Sequence, residues 1–280
     1  MDSAELEIAT AAFEPLSTET AKLGESPVWS EAHNAVFWVD IDGGQLLRTR
    51  PDGETRAWTT PEIPGFVQVV PEGIMVGMET GIFRFDEESA EFTRLVSVEP
   101  DGKRFNDACT DSQGRIWAGT MDMGKQHDNG IVYLFDPKRG TLTPRLDGFR
   151  IINGLAWDGA NSRLFLSDSW MEVQTVWTCS VDAQDNLSDR REFARFQDLD
   201  GRPDGGMLDR DGNYWIAGVF GGVIYRFSPD GTEMTTWAVP VEAPTKPALL
   251  PCFDRPAMVL TSFADEGDGG RLAIWKDAPV

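Results

Sequence analysis

From about residue 24 onward the chain alternates short apolar runs with clusters of Gly, Asp, Asn and Pro. The pattern is clearest from Arg202 to Gly231, RPDGGMLDRDGNYWIAGVFGGVIYRFSPDG. Gly206 to Leu208 is small and apolar, and Asp209-Arg210-Asp211-Gly212-Asn213 is a turn cluster. Tyr214 to Val219 is an apolar run, Phe220-Gly221-Gly222 a second turn, and Val223 to Ser228 alternates. Pro229-Asp230-Gly231 closes the stretch, with proline presetting φ and glycine free to take φ > 0. Strands this short, with turn signals every 8–12 residues or so, predict antiparallel sheet. One such sheet cannot bury both faces, so the unit has to recur.

It recurs. Trp215, at the centre of the middle run, has counterparts at Trp38 (VFWVDID), Met75 (GIMVGME), Trp117 (RIWAGTM), Phe165 (RLFLSDS) and Val259 (AMVLTSF). These centres lie roughly 37 to 50 residues apart, the length of a four-stranded propeller blade. Gly followed by an apolar alternation comes after most of them: GGQLLRTR, TGIFRFD, NGIVYLFD, GGVIYRFS, GGRLAIWK. Six units predict an all-β, six-bladed β-propeller of four-stranded antiparallel blades, with residues 1–280 as a single domain. The first five residues are expected to fray. The last unit supplies only three strands, so a strand within Ile8 to Leu16 is expected to complete its sheet and close the ring, leaving no free edge. No helix is predicted. The segment FVQVV in unit two carries no charged residue, and unit three contains a polar insert, MDMGKQHDNG at 121–130, read as a loop near a channel mouth.

Composition narrows the classes of partner. With 46 acidic and 25 basic residues the formal net charge is −21, which repels nucleic-acid backbones and anionic lipid. No run of about 18 apolar residues exists to span a membrane, and the N-terminus lacks a basic region followed by an apolar core. Cys109, Cys179 and Cys252 share no metal-ligand spacing and read as buried thiols of a reducing compartment. These features predict a cytoplasmic protein, monomeric or weakly homodimeric, with no nucleic-acid or membrane partner.

Candidate chemistry comes from counting. In a propeller the first strand of each blade lines the central channel. Eleven residues before Trp117 stands Asn106, and eleven before Trp215 stands Asp204. Twelve before Phe165 stands Asn153, and thirteen before Trp38 stands Glu25. Four blades thus place an oxygen-bearing side chain at nearly the same station. Each residue alone reads as an ordinary turn: Pro-Asp-Gly occurs four times, at 51–53, 100–102, 203–205 and 229–231, and Asn153-Gly154 is a routine turn dipeptide. Carboxylates facing each other across a channel repel unless a cation joins them. Oxygen donors without thiolate suit hard ions such as Ca²⁺, Mg²⁺ or Mn²⁺, and Zn²⁺ and Fe²⁺ also accept carboxylate. No G-x-S-x-G, P-loop or H-E-x-x-H occurs, and of the two histidines only His127, in the polar insert, is a candidate to reach a ligand.

At these residues the chain resembles the regucalcin/gluconolactonase family, which includes senescence marker protein, sugar lactonases and luciferin-regenerating enzyme. The resemblance rests on LGESPVW at 23–29, RFNDACTDSQGRIWAGTM at 104–121, INGLAWD at 152–158 and RPDGGMLDRDGNYW at 202–215. It implies a six-bladed propeller with one divalent metal ion in the channel. It also implies Glu25, Asn153 and Asp204 as metal ligands, with Arg104 and Asn106 holding the substrate and Asn106 reaching the metal through water. Some members carry a substrate-contacting acidic residue three positions after the Gly-Thr-Met, where this chain has Gly124; Asp122, His127 and Asp128 are the candidates to replace it.

The expected function is a metal-dependent hydrolase that opens a sugar (aldono-)lactone to its acid, with Asp204 as catalytic base. The ion is Ca, Zn, Mn, Mg or Fe. The substrate-binding set is Arg104, Asn106 and Asp122. The alternatives are a non-catalytic metal- or partner-binding propeller and a hydrolase of another ester or organophosphate.

Overall fold

A computed structural model describes residues 8–99, 101–253, 255–264 and 267–280. The first five residues, expected to fray, and Pro100 of one Pro-Asp-Gly lie outside them. The described strands form six sheets, one per predicted unit. The inner strands are Gly24–Ser30, Phe66–Val70, Lys103–Thr110, Ile152–Asp158, Arg202–Leu208 and Pro244–Leu249, for blades one to six in order. Each contacts the inner strand of the next blade, and the sixth contacts the first, so the ring is closed. Among the described residues no helix is long and apolar enough to cross a membrane.

Burial explains why the middle runs are apolar. The second strands of blades one, three, five and six (Ala35–Asp40, Ile116–Asp122, Tyr214–Val219, Ala257–Ser262) are buried at every position. The fourth strands, such as Glu91–Ser97 and Leu187–Arg195, are largely exposed and polar. The core is six separate wedges, one between each pair of adjacent blades; Trp215, for example, packs with Met258 and Leu260 between blades five and six. Cys179 is buried, Cys109 half-buried and Cys252 exposed, so the expectation of three buried thiols holds for one of them.

Two local expectations are corrected. The N-terminal segment is two short strands rather than one. Glu14–Pro15 pairs antiparallel with Ala273–Lys276 and closes blade six as expected. Ala9–Thr10 instead adds a fifth, parallel strand to the outer edge of blade five. Between them Ala11 and Phe13 turn inward into the wedge between those two blades, which breaks the strand. The second correction is the centre of blade one. Trp117, Phe165, Trp215 and Val259 pair with Cys109, Ala156, Met207 and Ala248, but in blade one the residue so placed is Phe37, paired with Val28. A slip of one residue reverses the face of a strand. Trp38 accordingly points back into the wedge with blade six, where its Nε1 donates to Thr49 Oγ1 at 2.9 Å.

Candidate functional site

Five of the six inner strands carry a one-residue β-bulge near their start: between Glu25 and Val28, Phe105 and Asp107, Asn153 and Ala156, Pro203 and Gly206, and Pro244 and Pro247. A bulge leaves one residue unpaired, bends the strand and re-aims its side chains. Phe66–Val70 of blade two is regular. At its head Gly65 has the carbonyl oxygen of Phe105 1.9 Å from where a Cβ would stand, so no side chain fits there. The bulges sort the channel residues into three tiers.

The middle tier is the ring found by counting. Glu25, Asn106, Asn153 and Asp204 are buried and line one cavity of about 120 Å³. A chain of hydrogen bonds crosses three blades: Arg104 donates to Asn106 Oδ1 at 2.7 Å, Asn106 Nδ2 to Asn153 Oδ1 at 2.8 Å, and Asn153 Nδ2 to Asp204 Oδ1 at 2.6 Å. Asn153 Nδ2 also donates to Ser169 Oγ at 2.8 Å. Asp204 Oδ2 has no hydrogen-bond partner among the described residues. The Glu25 carboxylate accepts the backbone N–H of Ser26 at 2.7 Å. Burial first, then the Asp107 carboxylate, pushes the Asp204 carboxyl up to about 8. Burial, then Asp204 and Asp107, raises Glu25 well above the usual carboxylate range.

The tier below, one residue further along each strand, was not legible beforehand. It holds Ser26, Asp107, Gly154, Gly205 and Lys246. Lys246 Nζ, from blade six, donates to Asp107 Oδ1 of blade three and to the carbonyl of Ala108 at 3.0 Å, both ends of the ion pair being buried. Burial pushes the Lys246 ammonium down, but Asp107 outweighs it and the net shift is upward. Asp107 Oδ2 accepts the N–H of Leu155, within the blade-four bulge, at 2.8 Å. Gly205 makes room for the lysine: a Cβ there would stand 2.4 Å from Lys246 Cβ. Beyond this pair lies a larger cavity of about 530 Å³ at the other end of the channel, lined mainly by apolar residues such as Leu155, Met207 and Leu249.

The upper tier, two residues before the ring, holds Leu23, Arg104, Ile151 and Arg202, all lining the same cavity. Burial lowers the Arg104 guanidinium to about 10 against the pull of Glu25, Asp42, Asp204 and Glu79. The insert 121–130 does overhang this mouth, since Met121 and Lys125 line the cavity. Asp122 is not brought to the ring. Its Oδ2 accepts the N–H groups of Gln126 at 2.6 Å and His127 at 3.0 Å and so ties down the insert's first turn. His127 is exposed, and Asp128 pairs with Arg150 at 2.7 Å.

The donor set fits a hard divalent cation. Among the described residues no three His, Cys, Asp or Glu side chains gather into a metal-binding group, because the ring has two carboxylates and completes itself with amides. Burial and mutual repulsion raise both carboxyls, and an added positive charge between them would favour their ionised forms. All four ring members offer oxygen.

The fold and ring together define a six-bladed propeller with a polar oxygen-donor site at one channel mouth. Residues 23–264 match the SMP-30/Gluconolactonase/LRE-like region, and the chain belongs to that family. It is 34% identical over 233 residues to L-arabinolactonase of Azospirillum brasilense, covering 81% of this chain and 77% of the relative. It is 32% identical over 259 residues to 6-deoxy-6-sulfogluconolactonase of Pseudomonas putida, covering 90% and 87%. The crystal structure of regucalcin from Agrobacterium tumefaciens, a calcium-binding protein, superposes with a TM-score of 0.86 over 96% of this chain and 94% of that one; at 21% identity this likeness speaks for the fold.

Proposed function

We propose that this protein hydrolyses a sugar lactone to the open-chain acid at the ring of Glu25, Asn106, Asn153 and Asp204. The observation that carries the reading is that ring: buried oxygen donors from four bulged strands converge in one cavity. Relatives above 30% identity named as lactonases of arabinose- and gluconate-type sugars support the substrate class.

Glu25, Asn153 and Asp204 would hold one divalent cation, and Asn106 stands beside them. Such an ion, when bound, supplies a Lewis acid for the lactone carbonyl and lowers the pKa of a neighbouring water. Asp204 acts as general base: Asn153 fixes Oδ1, and Oδ2 is left to take a proton from the attacking water. As the ring C–O bond breaks, the same carboxyl returns that proton to the departing ring oxygen, so that lactone and water give the hydroxy acid. Arg104 uses one nitrogen on Asn106 and on the carbonyl of Phe105, and its other donors orient the substrate's oxygens and balance developing negative charge.

The test is a pH-indicator assay of metal-stripped protein on a panel of aldonolactones, with each divalent ion restored in turn. Restored opening of at least one lactone is expected. Protein that binds an ion but opens none is a metal-binding propeller, and one that cleaves only a phosphotriester or simple ester has another electrophile.

A further inference from the structure

The upper tier contains a repetition that the hydrolysis just described leaves unused. Arg104 stands two residues before Asn106, and Arg202 stands two residues before Asp204. Blades three and five therefore present a guanidinium at the same station of the same cavity, while blades one and four present Leu23 and Ile151 there. Arg104 is committed to Asn106 and to the Phe105 carbonyl. Arg202 is not: its charge acts on Asp204, but among the described residues its guanidinium makes no hydrogen bond or ion pair. In a chain with 46 acidic residues, a half-buried guanidinium with its donors unused at a ligand cavity is unusual.

Its position is nonetheless held. The Arg202 guanidinium lies over the ring of Phe220, 5.1 Å from the centroid, and Phe220 packs against Phe263 at 5.3 Å. Phe220 is 52% exposed and has φ of 62°. A bulky residue in the left-handed region is strained. It stays because Gly221 is pressed against the Asp200 backbone, 2.5 Å from where a Cβ would stand, leaving the turn no other course. The turn thus delivers an aromatic platform to the cavity rim and fixes the arginine on it. A stacked guanidinium still presents its edge donors in a fork that matches an oxyanion. Lys125, also lining the cavity and without an ion pair among the described residues, adds a second cation on the blade-three side.

We propose that Arg202, on its Phe220 platform, binds an acidic substituent of the substrate, so that the preferred lactone carries a carboxylate, sulfonate or phosphate remote from the carbonyl that is attacked. This rests on the lactonase reading, with Arg104 serving the reacting end and Arg202 the far end.

The experiment compares two lactones with the same ring, one ending in an acidic group and one in a hydroxymethyl group, with wild type, Arg202→Gln and Arg202→Lys. Wild type should favour the acidic lactone in kcat/KM by at least tenfold, and the preference should shrink as salt is raised. Arg202→Gln should lower that preference at least tenfold, mainly through KM, with partial recovery in Arg202→Lys. Calorimetric titration with the ring-opened acid of each lactone gives a second readout: the acid with the extra anionic group should bind more tightly, and lose that advantage in Arg202→Gln. Turnover of neutral lactones with no preference for the acidic one, or equal losses on both in Arg202→Gln, overturns the assignment of Arg202 and leaves the lactonase reading standing. Absence of turnover on every lactone overturns the lactonase reading, and the titrations then decide Arg202 separately: equal binding of the two acids defeats it.

Discussion

Pro203-Asp204-Gly205 and Pro229-Asp230-Gly231 are the same three residues in two surroundings. The first lies within an inner strand at a bulge, buried, with its carboxyl pushed up to about 8 by burial and by Asp107. The second tops a hairpin between Val223–Phe227 and Met234–Ala238, exposed, with Asp230 Oδ1 accepting from Ser228 Oγ, the N–H of Thr232 and Thr232 Oγ1. Those bonds, Ser228 first, pull its carboxyl down to about 2. The glycines differ as well. Gly231 takes φ of 76° to make a turn, whereas Gly205 is small so that Lys246 can pass. One tripeptide therefore yields a carboxyl suited to moving protons and one suited to tying a loop. The neighbours decide which.

The largest test of that contrast is to remove each carboxylate. Asp204→Ala should lower kcat on an accepted lactone by about a thousandfold, within the range for loss of a general base, with an unchanged circular-dichroism spectrum. Asp230→Ala should stay within a few-fold of wild type. Similar losses in both would end the distinction. Next comes the group that Asp204's surroundings have and Asp230's lack. Lys246→Met leaves Asp107 buried without its partner and should cost about 3–5 kcal/mol in urea unfolding. Combining Lys246→Met with Asp107→Asn removes the stranded charge and should recover part of that loss. A loss near zero in the single variant would mean the pair is not what braces the channel.

Arg104→Ala removes a charged donor without removing a proposed ion ligand. KM should rise about tenfold, the cost of one charge-assisted hydrogen bond, while calorimetry finds divalent-ion affinity nearly unchanged. The smallest effect is expected at Asp122. Its carboxylate is spent on the N–H groups of Gln126 and His127, so Asp122→Ala should slow two epimeric lactones alike, by about threefold, as the insert loosens. A tenfold change in their ratio would instead put Asp122 on the substrate.

The blade repeat was legible because the second strand of each blade is buried on both faces along most of its length, so its central residues have to be apolar. The ring was legible because repetition fixes how far before that strand the channel residue stands. In blade one Phe37, not Trp38, faces forward, so the true count there is twelve, as in blade four, against eleven in blades three and five. Two adjacent apolar aromatics cannot be told apart by hydrophobicity when both faces are buried. Lys246 left no local mark: its partner Asp107 is 139 residues away, and the bulges that align them break the alternation on which strand reading depends. Arg202 opens the RPDGG motif, but its pairing with Phe220 depends on a turn whose φ cannot be read from residue type.

The brace between Lys246 and Asp107 has a consequence for traffic. A propeller is drawn as a tube, yet here a salt bridge spans the bore just beneath the oxygen-donor ring, between the small polar cavity and the wide apolar one. The ring therefore lies at the floor of one well, and the apolar cavity is a second one beneath it. On the lactonase reading proposed above, substrate, water and product would share the rim between Arg202 and Lys125, and each acid formed would have to climb out before the next lactone could descend.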